Sequence, residues 1–260
     1  MTSEPDIAKE NTRFLEKAEK AVADLFQLAR NKNELHFAFA LNPDFRGIRD
    51  RGWSTTVDLH TTFDEYLNYI KEGELTAFRA RVALAFYCHL AEASGFYETP
   101  KNMMRIAEGK SYVIWPFHDL NQKHAVTGAT IAPNANRVFR DLVGHANTIG
   151  LSSLAEVFRD AFEPDLRNGY AHADYIVWDD GIRLPMRTGG ARRTISWPQF
   201  QALLERAINF FLILRNQVVR SMKSFNPPRQ ILAQLSDEPE ALWTIHHDET
   251  GFFYIYSHGS

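Results

Sequence analysis

One hexapeptide concentrates groups that could do chemistry: Arg167-Asn168-Gly169-Tyr170-Ala171-His172 sets a guanidinium, an amide and an imidazole close together. The guanidinium is a permanent planar cation that grips phosphate oxygens in pairs, and the imidazole exchanges a proton near neutral pH. These are the parts for RNA strand cleavage. The histidine would activate the ribose 2′-OH or protonate the leaving 5′-oxygen, the arginine would stabilise charge building on phosphorus, and the asparagine would orient one of them. Such a site needs no metal and no cofactor. One arginine and one histidine are few where one group must accept a proton while another donates. A second copy of the chain, facing the first across a two-fold axis, is therefore expected to complete the site.

The competing reading is structural: Arg167 pairs with Asp165 or Glu163, Asn168 caps a helix end, and His172 is a satisfied core histidine. The elements around the motif bear on the choice. From Asn134, the residues Ala135, Val138, Phe139, Leu142, Val143 and Ala146 recur at helical spacing, and Leu154, Val157, Phe158, Ala161 and Phe162 repeat it behind Ser153. An antiparallel helix pair is predicted. Pro164 suits the first turn of a further short helix, since that position leaves an N–H unused. Along an unbroken helix Arg167 and His172 diverge by about 140°. A break at Gly169 is expected to let them converge.

Downstream, Asp174 to Trp178, a turn at Asp179-Asp180-Gly181 and Ile182 to Leu184 predict a β-hairpin, with a further extended piece near 193–195. Ser196, with Gln199 three positions on, caps a last long helix that runs to about Phe225. Upstream, a helix is predicted over 7–31, loops with one or two short strands over 33–59, and a helix over 63–71 capped by Thr62. A long helix follows over 74–93 and a short one over 102–108, after Pro100. Arg46, Arg49 and Arg51 with Phe45 and Trp53 form a basic–aromatic mixture of the kind that meets a nucleotide strand, and read first as a solvated loop around one buried tryptophan. Tyr112 to Trp115 is expected as an extended piece or buried turn. His118, Asp119 and His124 match no zinc spacing and are expected as surface and capping groups. Residues 243–245 and 252–256 suggest a second hairpin.

The expected fold is thus mainly α: four or more long helices in a bundle, a β-hairpin inserted before the last of them, and a small C-terminal β-hairpin. Residues 1–73 form a helical extension packed on a bundle of 74–225, and 226–260 form a strand-containing extension, all in one compact unit. With 260 residues, 45% of them hydrophobic, the chain can bury a substantial core. The 29 basic against 32 acidic residues, a net charge of -3, exclude a protein that coats nucleic acid by bulk charge. Any such contact is local. A lone cysteine, Cys88, reads as a small core residue in a reducing cytoplasm, and neither a secretory leader nor a membrane span is expected.

The run from Leu166 to Tyr175, with Arg167-Asn168-x-x-x-His172 at its centre and a hairpin and long helix behind it, resembles the R-polar-x-x-x-H signature of the HEPN superfamily. The similarity spans about residues 74–225. The resemblance implies a HEPN-like bundle and a metal-independent endoribonuclease of toxin–antitoxin, phage-defence or stress systems. It further implies a homodimer with a composite active site, single-stranded RNA as substrate, and an antitoxin or defence-system protein as partner. Arg167 and His172 carry over as catalytic and Asn168 as their polar partner. From the residues themselves, the glycine-hinged loop with Arg187, Arg192 and Arg193 reads either as an RNA-guiding element or as a merely solvated hairpin loop, with Tyr170 also expected at the substrate and Asp165 and Tyr175 in supporting positions. Family toxins modified on a tyrosine carry it two residues after the histidine, where this chain has Asp174. The alternative is a non-catalytic HEPN-type module that binds RNA, a nucleotide or a protein.

Overall fold

The computed structural model describes residues 4–42, 55–74, 76–185, 191–235 and 239–258. The chain opens with α1 (Glu4–Lys32), whose stripe of Phe14, Ala18, Val22, Leu25, Phe26 and Ala29 is buried. The predicted loop region begins instead with α2 (Glu34–Leu41), capped by the Asn33 side chain on the His36 N–H. Every residue of α2 after Glu34 is buried. A helix that is apolar on all sides has no 3.6-residue period to detect, which is why the sequence pattern there gives no helix. The loop residues Phe45, Arg46, Arg49, Arg51 and Trp53 lie outside the described residues.

The next helix, α3 (Thr55–Lys71), begins upstream of the predicted start, so Thr62 is an interior residue and not a cap. After it comes α4 (Ala77–Glu92), capped by Thr76, and then α5 (Ser94–Ala107). Pro100 lies inside α5, where a break was expected. Burial of Thr99, Pro100, Lys101 and Asn102 against the core offsets a local penalty of about 3 kcal/mol. Ile114 and Trp115 stand exposed on a connection pinned by two bonds between the Asn102 amide and the Val113 backbone, so neither is part of a buried turn.

A 3-10 turn (His118–Leu120) and a small ladder of β1 (Gln122–Lys123) and β2 (Thr130–Ile131) lead to α6 (Ala135–Thr148), capped by Asn134. His118 is exposed, and His124 Nδ1 accepts the N–H of Thr127 across the tip of the ladder. α7 (Ser152–Asp160) packs against α6 as predicted. The short helix α8 (Pro164–Ala171) carries the motif, with Pro164 in its first turn.

The predicted hairpin is part of a three-stranded antiparallel sheet of β3 (Ile176–Trp178), β4 (Gly181–Leu184) and β5 (Arg193–Ser196). Gly181 has φ 144°, and a Cβ there would lie 2.1 Å from the Ile195 carbonyl oxygen, so only glycine lets β5 approach. Ser196 and Gln199 form the expected capping box of α9 (Trp197–Lys223). The tail is a second three-stranded sheet, β6 (Arg229–Ala233), β7 (Ala241–His247) and β8 (Phe253–His258), one strand more than its pattern suggested.

One buried cluster runs from Phe14 of α1 to Ile245 of β7, and α1 packs against α5, α7 and α9. At its centre the Phe211 ring stacks on Phe63 at 4.7 Å and on Phe96 at 4.2 Å, pairs that contribute about 0.5–1.5 kcal/mol each beyond their burial. Cys88 is buried here, which pushes its thiol up to about 12. The fold is mainly helical, and among the described residues no helix is long and apolar enough to cross a membrane.

Candidate functional site

The motif is held by α8, and α8 is held by its neighbours. Leu166 is fully buried and anchors the helix, which packs against α4 and β4. The Glu163 carboxylate caps the Asp165 N–H, and the Glu163 N–H donates to the Tyr87 hydroxyl. Gly169 does not break the helix, which continues to Ala171. Its role is close packing: a Cβ would sit 2.7 Å from Leu184 Cδ2 and 3.2 Å from the Asp174 carbonyl oxygen.

Termination falls three residues later. The Asp174 N–H reaches the Gly169 carbonyl at 2.7 Å and the Ala173 N–H reaches that of Tyr170 at 3.0 Å, the paired bonds of a Schellman closure. Ala173 occupies the left-handed position with φ 52°, where a side chain costs about 1–2 kcal/mol. His172 is thereby the C-cap residue. Its ring is exposed and forms no hydrogen bond or ion pair with the described residues. It is not a core histidine.

Arg167 behaves differently. Its side chain is only 12% exposed, and its Nε and one terminal nitrogen are held by Oε1 of Glu92 at the end of α4. The second terminal nitrogen donates to Asn168 Oδ1 at 3.0 Å. Asn168 Oδ1 also accepts from Asn136 Nδ2 of α6 at 3.0 Å. Glu92 uses its other oxygen to accept the Ala135 N–H at the start of α6. The pairing of Arg167 with Asp165 or Glu163 that the sequence allows is replaced by one with Glu92. Nor does Asn168 cap α8; it joins α8 to α6.

Asp165 and Glu163 belong to Arg193. Its guanidinium lies 2.9 Å from Glu163 Oε1 and 3.2 Å from Asp165 Oδ2, which ties β5 to the first turn of α8. The positive charge expected to guide RNA is neutralised there. Arg192 is exposed, with no bond to the described residues, and Arg187 lies outside them. Tyr170 and Tyr175 stack on each other, centroids 5.9 Å apart, and partial burial raises the Tyr170 hydroxyl above its ordinary range.

Arg167 and Asn168 line a cleft of about 410 Å³ between α6, α7 and α8, and His172 lies outside it. Within one chain the structure therefore groups Arg167 with Asn168, Asn136 and Glu92, and sets His172 apart. Glu92 and Asn136 were missed by sequence reasoning: each sits on a helix far from the motif in sequence, and no spacing rule links Glu92 to Arg167. Among the described residues no three His, Cys, Asp or Glu side chains are grouped to hold a metal. No family model, curated protein or solved structure matches this chain.

Proposed function

We propose that the chain is a metal-independent endoribonuclease of the HEPN type, acting as a homodimer. The ribose 2′-OH attacks the adjacent phosphorus, the 5′-oxygen leaves, and a 2′,3′-cyclic phosphate remains. Arg167 steadies the phosphorane, Asn168 holds the guanidinium in register, and His172 transfers the proton. The observation that carries the reading is the exposed His172 ring, without a partner among the described residues, at the end of the same helix that sets Arg167 and Asn168 in a cleft. An imidazole committed to no neighbour is free to take or give a proton.

The helix runs unbroken from Arg167 to Ala171, so the two side chains of one copy point apart. This supports a composite site in which one copy's His172 works with its partner's Arg167. The test is cleavage of labelled single-stranded RNA in EDTA by the native chain, His172→Ala and Arg167→Ala, with the mass of each in solution. Loss of cleavage in both variants and partial complementation on mixing them is the expected result; equal activity in all three excludes the assignment.

One observation favours the second reading, a non-catalytic RNA- or nucleotide-binding module: the Arg167 charge is already satisfied by Glu92. That module binds RNA without shortening it.

A further inference from the structure

Of the groups lining the cleft between α6, α7 and α8, the charged ones do not cancel. Arg167 is paired with Glu92, and Glu163 with Arg193. Arg140 of α6 and Arg159 of α7 also line the cleft, and both are exposed without an ion pair or hydrogen bond to the described residues. The nearby Glu156 carboxylate is occupied by Lys17. The same carboxylate attracts Arg159 without pairing with it, so two guanidiniums with no direct partner among the described residues line one opening.

Beneath them the lining is apolar. Phe139, half-buried, forms an aromatic floor beside Val143, backed from the core by Phe158 and by Phe162, whose ring lies 4.9 Å away and is tilted by 59°. On the α8 side, Asn168 Oδ1 is consumed by Arg167 and Asn136 Nδ2. Among the described residues the Asn168 side-chain N–H₂ and the Asn136 side-chain amide oxygen are thus left over as a donor and an acceptor.

We propose that this cleft seats one nucleoside monophosphate unit, with the phosphate held by Arg140 and Arg159, the base against Phe139, and its edge read by Asn136 and Asn168. Guanidiniums pair with phosphate oxygens, aromatic rings accept any base face, and an amide pair matches the donor–acceptor edge of a base. The volume, about 410 Å³, falls within the range for small-ligand sites. A bare anion would leave the aromatic floor unused, and a neutral apolar ligand would leave two arginines facing nothing. The unit is either a free nucleotide or one residue of an RNA strand. The proposal extends the ribonuclease reading and rests on it for the strand; the seat itself is measured with ligands that cannot be cleaved.

The experiment is equilibrium binding to the full chain at low salt. The probes are the four nucleoside 5′-monophosphates, adenosine, inorganic phosphate, decanoate and a 2′-O-methyl oligonucleotide. At least one monophosphate or the oligonucleotide is expected to saturate, at least tenfold tighter than adenosine, phosphate or decanoate. Saturation by a monophosphate identifies a free-nucleotide site, and saturation by the oligonucleotide alone identifies a strand site. Arg140→Ala/Arg159→Ala is expected to weaken that binding at least tenfold. Both residues are exposed, so the double variant should fold, which circular dichroism checks.

No saturable binding, tightest binding of decanoate, or undiminished binding by a folded double variant overturns the proposal. Binding without RNA cleavage sinks the ribonuclease reading and leaves the seat intact. Cleavage together with undiminished binding of every probe by the folded double variant does the reverse.

Discussion

Glu92 holds Arg167 with one carboxylate oxygen while the other accepts the Ala135 N–H, so a single side chain at the end of α4 fixes the motif arginine to the first turn of α6. Glu92→Gln keeps the shape and removes the charge. Because Arg167 is largely buried and Glu92 is not, the expected loss lies between exposed-pair and buried-pair values, about 1–2 kcal/mol in urea unfolding. An unchanged midpoint would show that the pair contributes nothing net.

His172→Ala removes an exposed ring with no partner among the described residues. Stability is expected to stay within about 0.5 kcal/mol of the native chain. Any loss of RNA cleavage then reports chemistry and not unfolding. A large drop in melting temperature would mean that the ring makes contacts in an assembly.

Ala173 pays for its left-handed backbone at the closure of α8. Ala173→Gly should stabilise the chain by about 1 kcal/mol, measured by the shift of the thermal midpoint. A destabilised variant would contradict the closure geometry.

Gly169→Ala is the opposite case: its Cβ would meet Leu184 and the Asp174 carbonyl. A loss of about 1–3 kcal/mol is expected. Leu184→Ala added to it should cost less than the sum of the two single changes, since it opens the space the new methyl needs. Strict additivity of the unfolding energies would count against this packing.

Acid should destabilise the fold from near neutrality downward. Burial holds His36, His89 and His145 below the ordinary histidine value of 6.5. His36 is further committed, because its Nδ1 accepts the Tyr112 N–H at 2.8 Å and can do so only when deprotonated. A folded value below the unfolded one means that the unfolded chain binds more protons. Stability is therefore full above about 6.5 and declines as pH falls through the folded values. His36→Gln should flatten the fall in melting temperature between about pH 7 and pH 5; an identical slope would exclude His36 as a contributor.

Period and capping made much of the helical framework legible. The stripes of α1, α6 and α7, Pro164 at the start of α8 and the Ser196–Gln199 box of α9 are local signals, set by neighbours three or four residues apart. Where burial surrounds a segment, as in α2, or packing overrides a proline, as in α5, local signals mislead, and both elements emerge only from tertiary contacts.

For the site, the sequence by itself determined which groups stand on α8 and in what order: a cation, an amide, a glycine and an imidazole. The tertiary structure decided what each of them meets. Glu92 comes to Arg167 from 75 positions away, Asn136 to Asn168 from 32, and Arg193 takes the carboxylates that lie nearest to Arg167 in sequence. The physical reason is that an ion pair or amide bond depends on distance in space, and only the packing of α4, α6 and β5 around α8 sets that distance.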